Sequence, residues 1–233
     1  MSSKRCVPDD PAWTHYLEYR YKHYAHRIYG DDLAGRLMRR SHQWLERVAA
    51  IREKKSIILE LGSGQCGHRA FVSHPHDQYI NSDIEFLTPR AEEDRDYSGS
   101  LDWQLMQSAT ELALRNASID RIVSLHAFEH IPNPHRIFEE SLRVLRLGGL
   151  FTALIPADPG VLWRLGRHLG PRQDAVQAGL AYDYIMAREH INSAHNLIAL
   201  FKHYFPRGRL FYWPSGIPVV DVNLFIGMIG MRD

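Results

Sequence analysis

The feature that most constrains the fold is an apolar segment that runs directly into a glycine-rich turn. Residues 56–61 are apolar except for Ser56 and Glu60, and they are followed at once by Gly62-Ser63-Gly64-Gln65-Cys66-Gly67. Such a run is typical of a strand buried on both faces of a parallel sheet. The glycines let the backbone turn tightly and approach a ligand without intervening side chains. A strand followed by this turn predicts the opening of an α/β domain.

The chain beyond this turn alternates between strand-like and helix-like patterns. Strands are predicted at 56–61, 78–84, 103–107, 121–127 and 150–155, and helices between them at 68–73, 88–94 and 134–145. Such alternation indicates a parallel sheet with helices on both faces. A further helix is predicted at 191–204, followed by strands at 209–213 and 222–231. The loop between the last two strands is rich in Pro and Gly, which predicts a closing antiparallel hairpin.

The N-terminal segment has a different pattern. Residues 1–54 lack strand-like runs and carry apolar residues at helical spacing, with a break near Gly30 where Asp31 or Asp32 can cap a second helix. We therefore predict an N-terminal helical cap over 1–54 and a Rossmann-like domain over 55–233, with 157–188 as an inserted segment. The predicted fold is a doubly wound α/β fold, with a seven-stranded, mostly parallel sheet and a C-terminal antiparallel hairpin.

Composition excludes several classes of function. The net charge of the 233 residues is +1, so no strong field attracts a polyanion, and nucleic acid is not expected as a partner. Only Cys6 and Cys66 are present, which argues against a disulfide framework and fits a reducing compartment. No secretory signal or membrane-spanning run is visible. We expect a cytoplasmic protein.

Two carboxylates narrow the identity of the ligand. Asp83 ends the second predicted strand, about 20 residues beyond the turn, where an acid accepts hydrogen bonds from ribose hydroxyls. The glycine spacing also matches the dinucleotide fingerprint, so a nicotinamide-dependent oxidoreductase is an alternative. Glu60, however, precedes Gly62 by two positions, and an acid there repels a pyrophosphate. It favours a cation, such as the sulfonium and ammonium groups of S-adenosylmethionine.

Four segments, residues 58–64, 81–84, 119–134 and 142–149, resemble motifs of the class I S-adenosylmethionine-dependent methyltransferases, especially their small-molecule and glycan-modifying branch. The resemblance covers roughly residues 55–204. It implies a cofactor site made by Glu60, Gly62, Ser63, Gly64, Asp83, Ile84, Ser108, Ala109 and Leu125. Two positions depart from the family pattern, because Cys66 replaces a glycine and Ser108 replaces an acid that often contacts adenine.

Histidine is the natural base for removing a proton from an acceptor hydroxyl, because its ordinary pKa lies near neutrality. His130 follows the fourth predicted strand, at the carboxyl edge where open α/β sheets bind ligands. An alternative role is to orient the turn at Ile131. The neighbouring Glu129 is a second catalytic candidate. The family resemblance implies a further active-site histidine at His190.

A metal site is an alternative use of the same segment. His126, Glu129 and His130 have i, i+3, i+4 spacing, so a helical turn would place them on one face. Imidazole and carboxylate groups are ligands for divalent metals. A hydrogen-bonded network without a metal is the other reading. The predicted cofactor is S-adenosylmethionine, with a divalent metal left open.

These observations lead to one main functional hypothesis and three alternatives. The main one is O-methylation of a hydroxyl on a small or carrier-linked acceptor, with a sugar or glycan suggested by analogy alone. The alternatives are N-methylation of a similar acceptor, nicotinamide-dependent oxidoreduction, and a binding protein that keeps the cofactor fold without catalysis.

Overall fold

The computed structural model describes residues 10–28, 31–64, 67–85 and 101–233. The helices are α1 (Pro11–Ile28), α2 (Leu33–Ala49), α3 (Pro134–Val144), α4 (Val161–Leu169), α5 (Pro171–Gln177), α6 (Tyr182–Glu189) and α7 (Ala194–Tyr204). The strands are β1 (Ile57–Leu61), β2 (Gln78–Asp83), β3 (Leu101–Met106), β4 (Ile119–Leu125), β5 (Leu145–Pro156), β6 (Arg209–Pro214) and β7 (Asn223–Met231). Within the described part of the chain, no helix is long and apolar enough to cross a membrane.

The strands form one seven-stranded sheet in the order β3-β2-β1-β4-β5-β7-β6. β1 to β5 pair in parallel, whereas β7 is antiparallel to both β5 and β6. The predicted fold class, including the C-terminal antiparallel hairpin, is confirmed. The chain leaves β1 towards β2 on one side, and β4 lies on the other. In such sheets the crevice at this reversal, beyond the carboxyl ends of the strands, is where ligands bind.

Apolar side chains cover the two faces of the sheet in separate clusters. Leu59 and Phe151 belong to the cluster under α3 and α7. On the opposite face, Leu45 of α2 is fully buried in a cluster with Ile58 and Val123. Successive strand residues point to opposite faces, so one strand supplies both clusters. The second half of the predicted N-terminal cap is thus packed into the core of the sheet.

A buried ion pair also ties α2 to the sheet. Arg121 of β4 has no exposed surface, and its guanidinium donates to both carboxylate oxygens of Glu46 in α2. It also donates to Thr152 Oγ1 at 3.2 Å and to His74 Nε2 at 2.8 Å. Burial by itself would raise the pKa of Glu46, but the hydrogen bond from His68 and the charge of Arg121 lower it to about 2.

Three buried histidines continue this network, and their partners determine which nitrogen carries the proton. His68 Nε2 donates to Glu46 at 3.0 Å, so its Nδ1 accepts from His42 Nδ1, also at 3.0 Å. His74 accepts from Arg121 at Nε2 and donates from Nδ1 to the carbonyl of Pro75. Burial lowers the pKa of His42 to about 2 and also lowers the pKa of His68. Burial and the charge of Arg121 lower the pKa of His74 to about 4.

Several predicted boundaries are wrong, each for a local reason. Residues 67–71 form a short 3-10 turn where a helix over 68–73 is predicted. β4 ends at Leu125, two residues early, because His126 adopts φ +52°. β5 begins at Leu145 instead of residue 150, since Gly148 and Gly149 exchange backbone hydrogen bonds with Arg232. The predicted helix at 88–94 and the departure at Cys66 lie outside the described residues.

Candidate functional site

The glycine turn is shaped by close contact with the end of β4. Gly62 has φ +69°, and a Cβ atom added to it would lie 2.4 Å from the Cβ of Ala127. Gly64 also has a positive φ, of +52°. The backbone N–H groups of Gly62 and Ser63 both donate to the carbonyl of Ser82, at 2.8 and 3.1 Å. These contacts hold the turn at the carboxyl edge of β1 and β2.

Asp83, the last residue of β2, is hydrogen-bonded to the same turn. Its carboxylate accepts the N–H of Gly64 at 2.8 Å and the N–H of Glu85 at 3.2 Å. Beside it, Ile84 presents an apolar side chain that is 51% exposed. An oriented carboxylate next to an exposed apolar surface suits a nucleoside, whose ribose is polar and whose base stacks on apolar groups.

The other predicted cofactor residues lie at the same edge. Ser108 and Ala109 follow β3, where the Ser108 hydroxyl shares a hydrogen bond of 2.7 Å with Thr110 and Ala109 is buried. Leu125 is the buried last residue of β4. The Ser63 hydroxyl is buried and has no hydrogen-bond partner among the residues that the structure describes. A buried polar atom of this kind calls for a ligand or water, so the turn fits S-adenosylmethionine.

Glu60 lies beneath the glycine turn and is 4% exposed. Its carboxyl group accepts a hydrogen bond of 2.6 Å from the Tyr79 hydroxyl. Burial raises the pKa of Glu60 to about 8, although the hydrogen bond from Tyr79 opposes the shift. A cation beside this carboxyl group would favour its ionised form, which is the electrostatic role predicted for it.

The predicted catalytic residues meet in one cluster. Glu129 and His130 lie in a 3-10 turn after β4, and His190 directly follows α6. The rings of His130 and His190 are edge to face, with centroids 4.8 Å apart. His130 Nε2 lies 3.6 Å from a carboxylate oxygen of Glu129. Two imidazoles and a buried carboxylate thus converge. They come from distant parts of the chain, since His130 and its hydrogen-bond partner Glu189 are 59 residues apart.

Backbone and side-chain contacts hold this cluster beside the glycine turn. The N–H groups of Ile191 and Asn192 donate to the carbonyl of Glu129, at 2.9 and 3.1 Å. The Asn192 amide also donates to the carbonyls of Phe128 and Ile131. Ala127, which touches Gly62, immediately precedes this turn. The glycine turn and the histidine cluster are therefore neighbours.

His126 does not join the cluster, so the predicted metal-ligand set is wrong for this residue. The segment is not a regular helical turn, since His126 has φ +52° and only residues 128–130 form a 3-10 turn. Its Nε2 instead lies 3.0 Å from the Ser41 hydroxyl of α2. Burial, followed by the charge of His190, lowers the pKa of His126 to about 3. The ligand-type residues that do converge are Glu129, His130 and His190.

Two contributors to the cluster are absent from the sequence-based prediction. Asp158 accepts a hydrogen bond of 2.7 Å from His190 Nδ1. Glu189 provides a backbone carbonyl 2.7 Å from His130 Nδ1 and a carboxylate oxygen 3.3 Å from the same atom. Asp158 follows β5 at the ligand-binding edge, and this position is a signal that sequence reasoning could have used.

Comparison with known proteins gives a family match for the central part of the chain. Residues 59–153 match a family described as a methyltransferase domain. Proteins from Mycobacterium sp. strains KMS and JLS, each named "uncharacterized methyltransferase", are 29% and 28% identical over 130 residues. The alignment with each covers 48% of this chain and 51% of the relative. The chain therefore spans about half the length of the curated relatives it matches.

Solved structures share the fold at low sequence identity. A candidate sarcosine dimethylglycine methyltransferase from Galdieria sulphuraria has a TM-score of 0.63 at 16% identity, covering 92% of this chain and 98% of its own. A carbon methyltransferase also has a TM-score of 0.63 at 14% identity, covering 96% of this chain and 61% of its own. A (4+2)-cyclase has a TM-score of 0.57 at 14% identity, covering 80% and 64%. Proteins named for different reactions thus share this fold.

The family match covers part of the candidate site, whereas His190 lies beyond it. The matched residues run from β1 through the glycine turn, Asp83 and the 3-10 turn that contains His130 to β5. Within them, the sheet edge, the turn and the acid at the end of β2 have the arrangement of a Rossmann-like cofactor site. Residues 59–153 of this chain thus match a methyltransferase domain, within a sheet whose fold solved methyltransferases share.

Proposed function

We propose that this protein transfers a methyl group from S-adenosylmethionine to a hydroxyl oxygen on a small or carrier-linked acceptor. The observation that carries the proposal is the convergence of Glu129, His130 and His190 beside the glycine turn. Methyl transfer to a hydroxyl needs a group that takes up or displaces the hydroxyl proton. Imidazoles at the methyl-donor edge of the sheet meet that need.

The cofactor residues have separate proposed roles. S-adenosylmethionine supplies an activated methyl group when bound. The turn from Gly62 to Gly64 lies against its methionine part, with Glu60 favouring the positive charge. Asp83 accepts from the ribose hydroxyls, and Ile84 covers one face of the adenine. Ser108, Ala109 and Leu125 complete the proposed binding edge.

The histidine cluster acts on the acceptor. We assign the catalytic role to Glu129, His130 and His190 together. The acceptor oxygen bonds to the methyl carbon as the carbon–sulfur bond breaks and its electron pair moves to sulfur. The hydroxyl proton leaves through the cluster. Alignment of acceptor and donor in a site of fixed geometry supplies much of the rate.

Several features fit a polar, compact or carrier-linked acceptor. The Arg167 guanidinium lies near the rings of Trp163 and Tyr182, at 5.7 and 5.1 Å from their centroids. Trp163 stacks near His190, with ring centroids 6.5 Å apart. An aromatic and cationic wall of this kind suits a sugar or an acidic group.

The two cysteines favour a reducing compartment, so we propose the cytoplasm as the site of action.

Calorimetry with S-adenosylhomocysteine tests the cofactor assignment. We expect the wild type to bind it and Asp83→Ala to bind at least about tenfold more weakly, because hydrogen bonds to a charged group contribute about 1.5–3 kcal/mol. Asp77→Ala is the matched control, since Asp77 is exposed at the opposite end of β2 and pairs with Lys54. It should bind like the wild type. Absence of binding by the wild type would rule out the proposal.

The same preparations separate the alternatives. Tighter binding of NAD than of S-adenosylhomocysteine would favour an oxidoreductase. Transfer to amines that survives in His130→Ala would favour N-methylation, which needs less from a base. Cofactor binding without transfer to a panel of hydroxylated and amine acceptors would favour a binding protein.

A further inference from the structure

Three potential ligand atoms come together at the carboxyl edge of the sheet. Glu129, His130 and His190 each offer one atom, and all three atoms lie within 4.8 Å of one another. His130 Nε2 and the Glu129 carboxylate oxygen are 3.6 Å apart. Ligands about 2.0–2.2 Å from a shared zinc ion, in tetrahedral arrangement, lie about 3.3–3.6 Å from each other. Only small side-chain movements separate this cluster from a coordination site.

The surrounding acceptors fix the tautomers of both rings. His130 Nδ1 faces the backbone carbonyl of Glu189 at 2.7 Å and its carboxylate at 3.3 Å, so it must carry a proton to donate. His190 Nδ1 faces the Asp158 carboxylate at 2.7 Å and is a donor for the same reason. In the neutral rings, both lone pairs are therefore on Nε2. Metal-binding histidines are held in this way, with the second nitrogen donating to a carboxylate or carbonyl.

Burial favours a cation at the same place. Glu129 is 2% exposed, and the side chains of His130 and His190 are 24% and 14% exposed. A buried carboxylate gains stability from a positive charge in contact with it. Partial exposure of the two rings leaves an approach for an ion and an acceptor. A closed structural site would have four protein ligands, whereas three leave a coordination position open.

From these contacts we propose that Glu129, His130 and His190 bind a divalent transition-metal ion, with zinc as the best match. Two imidazoles and one carboxylate suit zinc and neighbouring first-row metals better than magnesium or calcium, which prefer all-oxygen sites. Asp158 and Glu189 are positioning residues, because they orient the rings without contacting the ion. His126 is excluded, since its Nε2 is engaged with Ser41.

The catalytic use of this ion rests on the proposed methyl transfer, whereas its binding does not. An acceptor hydroxyl that enters the open position becomes more acidic, because the ion stabilises the alkoxide. Its proton leaves to water, and the alkoxide oxygen then bonds to the methyl carbon. The carbon–sulfur bond breaks with its electron pair on sulfur, so the sulfonium becomes a neutral thioether. When the metal ion is bound, the two imidazoles serve as its ligands and do not accept the hydroxyl proton as free bases.

The test uses the untagged full chain, stripped with a chelator and titrated with Zn²⁺ and, in parallel, with Co²⁺. We expect one ion per chain by elemental analysis, with visible absorption from bound Co²⁺. His130→Ala and His190→Ala should each lose this stoichiometric binding. His195→Ala is the matched control, because His195 is exposed and lies five residues from His190. It should bind like the wild type.

A second variant distinguishes a built site from adventitious binding. Asp158→Ala leaves all three ligands in place and should weaken zinc affinity about 10–100-fold, the usual effect of losing a partner of a ligating histidine. Calorimetry with S-adenosylhomocysteine checks that each variant is folded. A wild type that binds cofactor but no stoichiometric metal, or histidine variants that bind metal as tightly as the wild type, would overturn the metal site. The methyltransferase proposal would survive that result, and it fails separately if the cofactor does not bind.

Discussion

Two residues at the carboxyl end of β1 are constrained in different ways, Gly62 by its backbone conformation and close neighbours and Glu60 by the burial of its carboxyl group. Gly62 combines a positive φ with a neighbour too close to admit a Cβ atom. Glu60 is a carboxyl group held away from water that accepts a hydrogen bond from the Tyr79 hydroxyl. The sequence predicts a site role for both, because their spacing relative to the strand is local. The contact with Ala127 that makes Gly62 irreplaceable depends on β4, which follows more than fifty residues later.

Gly62→Ala should destabilise the fold and weaken cofactor binding. The left-handed backbone costs an alanine about 1–2 kcal/mol, and the contact with Ala127 adds roughly 1–3 kcal/mol of overpacking. Gly148→Ala is the matched control, because Gly148 has φ +73° but nothing within 4 Å of an added Cβ. Urea unfolding should show a clearly larger loss for Gly62→Ala. Equal losses in the two variants would mean that contact with Ala127 is unimportant.

Binding of S-adenosylmethionine should release a proton from Glu60. With a pKa of about 8, this carboxyl group is mostly protonated at pH 7, and a cation beside it lowers that pKa. Affinity should therefore increase as the pH rises from 6 to 8. Calorimetry in buffers of different ionisation enthalpy measures the released proton directly. Glu60→Gln, which cannot ionise, should release none, and proton release that persists in this variant would assign it to another group.

The packing of α2 depends on contacts distant in sequence. Asp32 caps it, as the sequence predicts, by accepting the N–H of Gly35 at 2.7 Å. Its attachment to the sheet, however, comes from Leu45 and from Glu46, whose partner Arg121 lies 75 residues away. An amphipathic pattern predicts that a helix buries one face, but it does not say which strand the helix meets. The boundary at residue 54 between a cap and a domain stays a prediction.

Glu46→Gln should destabilise the protein strongly. Removing the carboxylate leaves the fully buried Arg121 without its ion-pair partner, which typically costs about 3–5 kcal/mol. Asp183→Asn is the matched control, since Asp183 is 77% exposed in its pair with Arg172 and should leave stability unchanged. Urea unfolding midpoints of both variants provide the comparison. A small loss for Glu46→Gln would show that water or a neighbouring group compensates Arg121.

Across the whole molecule, the buried histidines make stability sensitive to acid. Their pKa values are lower in the folded protein than the ordinary value of 6.5, with His42 at about 2 and His74 at about 4. Below pH 6.5 the unfolded chain therefore binds protons that the folded protein does not, so stability falls as the pH falls. Glu60 acts in the opposite direction, because its raised pKa lets the folded protein bind the extra proton.

We expect the free energy of unfolding to decrease between pH 6 and pH 5. His42, His74 and His126 each contribute up to about 1.4 kcal/mol per pH unit, His68 acts in the same direction, and Glu60 offsets about one such contribution. The net loss should be at least about 2 kcal/mol, measured by urea unfolding at each pH. His42→Gln should reduce the slope by about 1.4 kcal/mol per pH unit. Stability that stays constant or increases over this range would contradict the assignment of neutral buried histidines.

The sequence alone determined the order of the seven strands, the glycine turn and the acid at the end of β2. These features depend on periodicity and on spacing between chain neighbours, which are local properties. Only the tertiary structure decided that His190 joins His130 and that His126 does not. That outcome depends on the left-handed backbone at His126 and on hydrogen bonds between segments about 30 to 85 residues apart. Residue spacing along the chain does not encode such contacts, because they exist only once the sheet has brought its carboxyl ends to one edge.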